Sequence, residues 1–331
     1  MNKKGVSIII CCYNSSSRIT ATLNHLQKIN SHGIPWEVIL VDNASNDETA
    51  VISNKVWQTN PVTALLIVKE QKKGLMNARI RGVASSSYDF LSFIDDDNWI
   101  EENWIYKVFT ILTENPELAA CGGSADAVFE VTPPPWFSEF SISYATGMQQ
   151  NKSGFVEPQK GYLWGAGLTV RKLAWEELFS SGFSSLLSGR TGKALTAGED
   201  SEICLALVIR GWKLWYEESL KLQHYIPASR LNLDYLIKMY EGFGKAEVIL
   251  SLYRGLIRKN MSNKSSWLYQ CLSSLKNLIE AGIKNVFSNA KEKVRFLAMW
   301  KLQKAYTVEL ITNRTKYLSA EKKINKYFTS L

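Results

Sequence analysis

Four times within the first hundred residues, a short apolar run rich in β-branched side chains ends in polar residues and gives way to a helical pattern. The runs are Val6–Asn14, Trp36–Asp42, Leu65–Val68 and Phe90–Asp97. Strands buried on both faces read as continuous apolar segments, and their alternation with helices predicts a parallel, doubly wound α/β sheet. Ligands of such sheets lie beyond the carboxyl ends of the strands. Tyr13, Asn14, Asp42, Asp95 and Asp97 all fall there.

The fourth run ends in three carboxylates, Asp95-Asp96-Asp97. Adjacent like charges repel and raise one another's pKa, so a cation is expected among them. Hard oxygen donors at this density suit Mn²⁺ or Mg²⁺, with water and substrate phosphate completing the coordination. The competing reading is a solvated acidic turn that caps the next helix. The strand-and-helix plan also suits a dinucleotide or ATP fold, but no G-x-G-x-x-G follows the first strand and no Walker loop is present.

Beyond the triplet, Asn103–Asn115 has a helical pattern and Ala119–Glu130 reads as two short strands around Gly122-Gly123. In Gly161–Gly167 the glycines permit close approach of backbone to a ligand and Trp164 offers a flat face, so Trp164 and Gly165 are candidate acceptor contacts. Leu168–Arg171 reads as a strand and Lys172–Ser180 as a helix. The polar stretch Ser184–Gly198, basic at Arg190 and Lys193, has the profile of a mobile loop over a site. Glu199 and Asp200 then open a helix, where an ordinary capping role competes with chemistry. Leu214–Tyr216 and Leu220–Pro227 read as separate extended pieces, and a long helix is expected from about Asn232.

Charge is unevenly distributed. Residues 251–331 hold 16 Lys and Arg against 4 Glu, a net of +12, within a chain whose total is +8. Apolar positions at helical spacing, such as Leu268, Leu272 and Leu275, interleave with these cations. Two readings stay open: amphipathic helices on an anionic membrane surface, or a helical bundle packed on the rest of the chain. Nucleic acid is a third partner class, with no zinc, homeodomain or RNP motif to support it. Five scattered cysteines form no C-x-x-C pair or disulfide framework and read as buried thiols of a reducing compartment. No run reaches the roughly 18 apolar residues of a membrane span, so a cytoplasmic protein is expected, with peripheral attachment to the inner membrane face as its alternative.

The ordered series Ser7–Asn14, Val41–Ser45, Gly74–Arg79, Phe93–Asp97 and Gly198–Asp200, with Gly211-Trp212 downstream, resembles the family 2 glycosyltransferases of the GT-A fold. The resemblance runs from about Val6 to Arg230. It implies a Rossmann-like catalytic domain over residues 1–230, with a nucleotide-sugar half to about 124 and an acceptor half from 125. Residues 231–331 would form a basic helical region. It further implies inverting transfer of a sugar from a nucleotide-sugar, most simply a UDP-sugar, to an acceptor hydroxyl on a glycan or lipid-linked sugar. By that likeness Tyr13, Asn14 and Asp42 line the nucleotide pocket with Arg79 nearby. Asp95 and Asp97 are the outer members of a D-x-D metal motif, and His224 is a further metal ligand or diphosphate contact. Asp200 is then the general base, with Glu199 as second choice. Two departures stand out. Asp96, counted with the cofactor-binding residues, adds a charge in the middle of the motif that could point to solvent or shift which carboxylate holds the ion, and Ile80 replaces the Asn usual after Ala-Arg.

Overall fold

The computed structural model describes residues 3–187, 198–258 and 266–328. The first strand, β1, forms at Lys3–Cys12. Its isoleucines fill two apolar layers: Ile8 and Ile10 enter one core and Ile9 the other, all fully buried, as the two-residue period of a strand requires. The expected alternation follows as α1 (Ile19–Leu26), β2 (Trp36–Asp42), α2 (Thr49–Trp57), β3 (Ala64–Lys69), α3 (Leu75–Ala84) and β4 (Tyr88–Ile94). These four strands lie in the order β3-β2-β1-β4, all parallel.

The second half of the sheet is mixed. It contains β5 (Asn98–Ile100), α4 (Trp104–Glu114), β6 (Leu118–Phe129), the single turn α5 (Phe137–Phe140), β7 (Gly154–Phe155) and β8 (Leu168–Arg171). Then come α6 (Lys172–Ser180), α7 (Glu199–Ile209) and β9 (Lys213–Ile226). β8 runs antiparallel to both β4 and β6, β9 is parallel to β6, and β5 and β7 pair antiparallel with β9. The two short strands expected on either side of Gly122-Gly123 are one, β6, and the two pieces around Tyr216 and Leu222 are likewise one, β9. Their shared irregularity explains the difference. Gly122 pairs with Tyr216 and Ser124 with Lys221, so Gly123 alone stands opposite Glu217–Leu220. A Cβ on Gly123 would lie 1.8 Å from the Leu220 carbonyl oxygen, so only glycine fits.

Helices α1 and α4 cover one face of the sheet through Leu23, Trp104 and Val108. On the other face α3, α6 and α7 contribute Ala78, Trp175 and Leu205. The C-terminal helices are α8 (Leu233–Ile257), α9 (Trp267–Phe287), α10 (Lys293–Thr312) and α11 (Arg314–Phe328). Ile249 and Tyr253 of α8, Leu310 of α10, and Tyr317 and Ile324 of α11 join the same core as α7. The packed-bundle reading therefore describes α8, α10 and α11, whereas α9 buries only Cys271 and Ser274. All five cysteines are free thiols, four of them buried. Among the described residues no helix is long and apolar enough to cross a membrane.

Candidate active site

A cleft of about 870 Å³ opens at the carboxyl ends of β1 and β4. Its walls include Tyr13, all three aspartates of the triplet, Arg79, Trp164, Gly165, Glu199, Asp200, His224 and the inner face of α8.

The chain turns tightly after β4, the amide of Asn98 donating to the Asp95 carbonyl at 3.0 Å, and this turn splays the carboxylates. Asp96 folds back toward α1 instead of pointing to solvent. It accepts from Arg18 at 2.6 and 3.2 Å and from the Ser15 hydroxyl, and its carbonyl takes the Thr22 hydroxyl at 2.9 Å. Burial and neighbouring Asp97 push the Asp96 carboxyl up from its usual range, and Arg18 pulls it back. Asp97 is 4% exposed and pairs with Arg230 at 2.9 Å, with His224 Nε2 3.7 Å from its other oxygen. β9 brings His224 there: Asn98 pairs with His224 across β5 and β9, and the Tyr225 amide donates to the Asp97 carbonyl at 2.9 Å.

The cation demanded by three adjacent carboxylates thus arrives partly as two arginines. Neither Arg18 nor Arg230 was singled out from the sequence. Arg18 had a readable signal, a lone cation at the head of the helix that follows β1. Arg230 had none, because its partner lies 133 positions away and only the sheet register joins them.

On the opposite side, Asp200 lies in the first turn of α7. Its Oδ2 accepts the Gly165 amide at 2.7 Å and its Oδ1 the Ser201 amide at 2.9 Å. Trp164 is oriented by its own amide, which donates to Gln149 at 2.8 Å. Arg79 is buried, with its guanidinium 5.4 Å above the Phe93 ring and Nη1 without a hydrogen-bond partner. Burial works against its charge, but Glu199, Asp200 and Asp95 outweigh that and hold its pKa up. A Cβ at Gly165 would lie 2.9 Å from both Arg79 Nη2 and Asp200 Oδ2, so glycine lets these two side chains converge. Glu199 is 5% exposed beside Arg79.

Other expected contacts divide. Tyr13 lines the cleft, with Lys73 Nζ 5.3 Å above its ring. Asn14 and Asp42 do not line it; Asn14 accepts the Asn46 amide at 2.8 Å and Asp42 the Ser45 amide at 3.0 Å, tying loops together. Asn43, not expected from the sequence, does line it and holds the Lys72–Gly74 loop by bonds to the Lys72 carbonyl and the Gly74 amide, both 2.8 Å. Arg190 and Lys193 lie outside the described residues.

Asp97 and His224 beside Asp95 offer carboxylate and imidazole donors on one side of the cleft, a set that fits a divalent ion. Among the described residues no group of three His, Cys, Asp or Glu side chains is placed to hold a metal ion by itself, so any ion here would depend on further ligands.

Three comparisons bear on this cleft. Over 121 residues, 37% of this chain, it is 25% identical to the poly-beta-1,6-N-acetyl-D-glucosamine synthase of Staphylococcus aureus, and the match spans 28% of that protein's length. The mannosyltransferase PcManGT from Pyrobaculum calidifontis, solved with GDP-Man and Mn²⁺, shares the fold with a TM-score of 0.54 at 14% identity, over 98% of this chain and 87% of that one. Residues 1–349 of S. aureus TarS, solved with UDP, align with a TM-score of 0.50 at 14% identity, over 94% and 91% of the two chains. The family model described as glycosyl transferase family 2 matches residues 7–179, and with that match over more than half its length the chain belongs to glycosyl transferase family 2.

Proposed function

We propose that this chain transfers a sugar from a nucleotide-sugar, with a UDP-sugar as first choice, to an acceptor hydroxyl with inversion at the anomeric carbon. One observation carries the reading: Asp97 with His224 and Asp200 with Arg79 open on the same cleft from different elements. The residues would divide the work as follows. Tyr13 and Lys73 bound the nucleotide side, and Arg79 lies among Asp95, Glu199 and Asp200, where its positive charge would offset the charge that develops on a departing diphosphate. Asp97, His224 and Asp95 would hold Mn²⁺ or Mg²⁺, which when bound supplies Lewis-acid stabilisation of that diphosphate. Asp200 accepts one backbone amide on each oxygen, an arrangement that fixes its orientation and leaves lone pairs for the acceptor's proton. Glu199, nearer Arg79, is the second choice.

Helices α8 and α10 line the cleft with Met239, Tyr240, Phe243, Leu250, Met299 and Leu302, beside the ion pair of Glu247 and Arg254. Aromatic rings there suit the faces of sugar rings, and the aliphatic side chains suit the apolar part of a lipid-linked acceptor. Together with the polymer-forming relative, this supports a role in polysaccharide or glycan biosynthesis, at the cytoplasmic side of a membrane.

Titration with UDP in the presence and absence of Mn²⁺ tests the donor half, followed by a nucleotide-sugar panel scored for hydrolysis or transfer. Metal-dependent UDP binding with turnover of one donor is the expected result. Binding without turnover of any donor would make the chain a catalytically silent relative. No UDP binding, with tight salt-sensitive binding of DNA or RNA instead, would move the function to the basic C-terminal region.

A further inference from the structure

Helix α9 carries two apolar stripes, and only one is used. Trp267, Cys271 and Ser274 face the bundle: the Trp267 indole donates to the Leu310 carbonyl at 2.9 Å, and the Ser274 carbonyl accepts from Gln303 and Thr307 of α10. A second stripe, Leu268, Leu272, Leu275, Ile279, Ile283 and Val286, recurs every three or four residues. It is therefore continuous along one side of a helix. These six side chains are 40 to 68% exposed, and Phe287 at the helix end is 83% exposed. An uncovered apolar row of this length is costly in water and marks an interaction surface.

We propose that this stripe is a docking face for an anionic lipid surface. Charge selects the occupant. On α9 Lys276 borders the stripe and Lys284 flanks Phe287 at its end, both exposed, with Glu280 as the acid between them. Lys304 of α10 and Lys291 between the helices are exposed as well. The segment 251–331 carries +12. Pairing this face with a second copy would bring two strongly cationic segments together, whereas a layer of acidic headgroups neutralises the lysines while its acyl boundary takes the leucines and isoleucines. Aliphatic stems of the lysines extend along the same boundary with their ammonium groups in the headgroups. The inference does not depend on the reaction the cleft performs.

Flotation of the full chain with phosphatidylcholine vesicles, with and without 30 mol% phosphatidylglycerol, tests it. The expected result is binding only to the anionic vesicles, weakened as salt rises. The triple substitution Leu272→Ser, Ile279→Ser and Ile283→Ser removes apolar atoms that already face solvent, so the circular dichroism melt stays unchanged while partitioning falls by roughly 10-fold or more. A second variant, Lys276→Glu with Lys284→Glu, leaves the stripe intact and should cost about 10-fold or more on anionic vesicles alone. Equal binding by wild type and both variants would overturn the proposal, as would no binding by wild type. A concentration-dependent dimer that the serine variant dissolves, seen by light scattering without vesicle binding, would reassign the stripe to self-association.

Discussion

The acid triplet and Asp200 reach one cleft from different elements, yet their charges are held in different ways. Around the triplet the compensation is by side chains from elsewhere in the chain: Arg18 for Asp96 and Arg230 for Asp97. At Asp200 the bonds come from backbone, the amides of Gly165 and Ser201, and the Arg79 guanidinium adds its charge from nearby. A guanidinium brings a full positive charge to its carboxylate, whereas two amides bring partial charges fixed in direction by the backbone. The contrast separates three aspartates that look equivalent in sequence. Asp96 is a tie between the triplet and α1, Asp97 is shared between a guanidinium and the cleft, and Asp200 is aimed.

Breaking that contrast at its strongest point means Asp200→Asn. The size is retained, but the proton acceptor and one of the two backbone amide bonds are lost, so kcat should fall by about 10² to 10⁴ while the donor dissociation constant changes less than about threefold, read by steady-state kinetics beside calorimetry. A kcat near that of wild type would reduce Asp200 to a helix cap.

Next in size is Arg230→Ala, which leaves Asp97 buried without its guanidinium and should cost about 3 kcal/mol in urea unfolding. If the Asp97 and His224 pair accepts a divalent ion, added Mn²⁺ should raise the melting temperature of this variant more than that of wild type. Equal shifts would argue that the ion sits elsewhere.

A smaller effect sharpens the other side. Gly165→Ala places a methyl group against Arg79 and Asp200, so both must shift; displacement of this order costs around 10²-fold in turnover. Global stability, followed by thermal melting, should hardly change because the clashing atoms are side-chain ends.

The smallest effect concerns a carboxylate away from the chemistry. Asp47 accepts the amides of Ser16 and Thr49 at 3.0 and 3.1 Å and joins the loops after β1 and β2. Burial pushes its pKa up, but the Thr49 and Ser16 hydroxyls together with these two amide bonds outweigh it and hold the carboxyl down from 3.8 to about 2. A depressed folded pKa contributes stability that is complete above pH 4 and lost as pH falls toward 2. Asp47 is solvent-exposed, so Asp47→Ala should cost no more than about 1 kcal/mol at neutral pH and nothing near pH 2. A difference that persists at pH 2 would show a packing effect instead.

How far the sequence alone reached follows from the range of the forces involved. The alternation through β4 and the position of the triplet were legible, because apolar periodicity and strand-end polarity are local signals. The seams of the second half were not. Gly122-Gly123 was read as a break between strands, when Gly123 is the point at which β6 yields to the Leu220 carbonyl and continues. Like-charge repulsion in the triplet asks for a cation and suggests a divalent ion, whereas the structure sets Arg18 against Asp96 and Arg230 against Asp97, neighbours that depend on tertiary register and leave no local signal of their pairing. The basic region posed a similar problem. Its helices share one composition, and packing alone distinguishes α8, α10 and α11 from the half-covered α9.

The seam between β6 and β9 also decides which side chain meets the acids. His224 stands beside Asp97 in the register in which pairing resumes at Ser124 and Lys221, after Glu217–Leu220 pass opposite Gly123. A one-residue slip of the pairing beyond the seam would present Gln223 or Tyr225 where the imidazole now stands. A single glycine in the middle of β6, by letting the Leu220 carbonyl close in, thus helps to choose a side chain of the cleft.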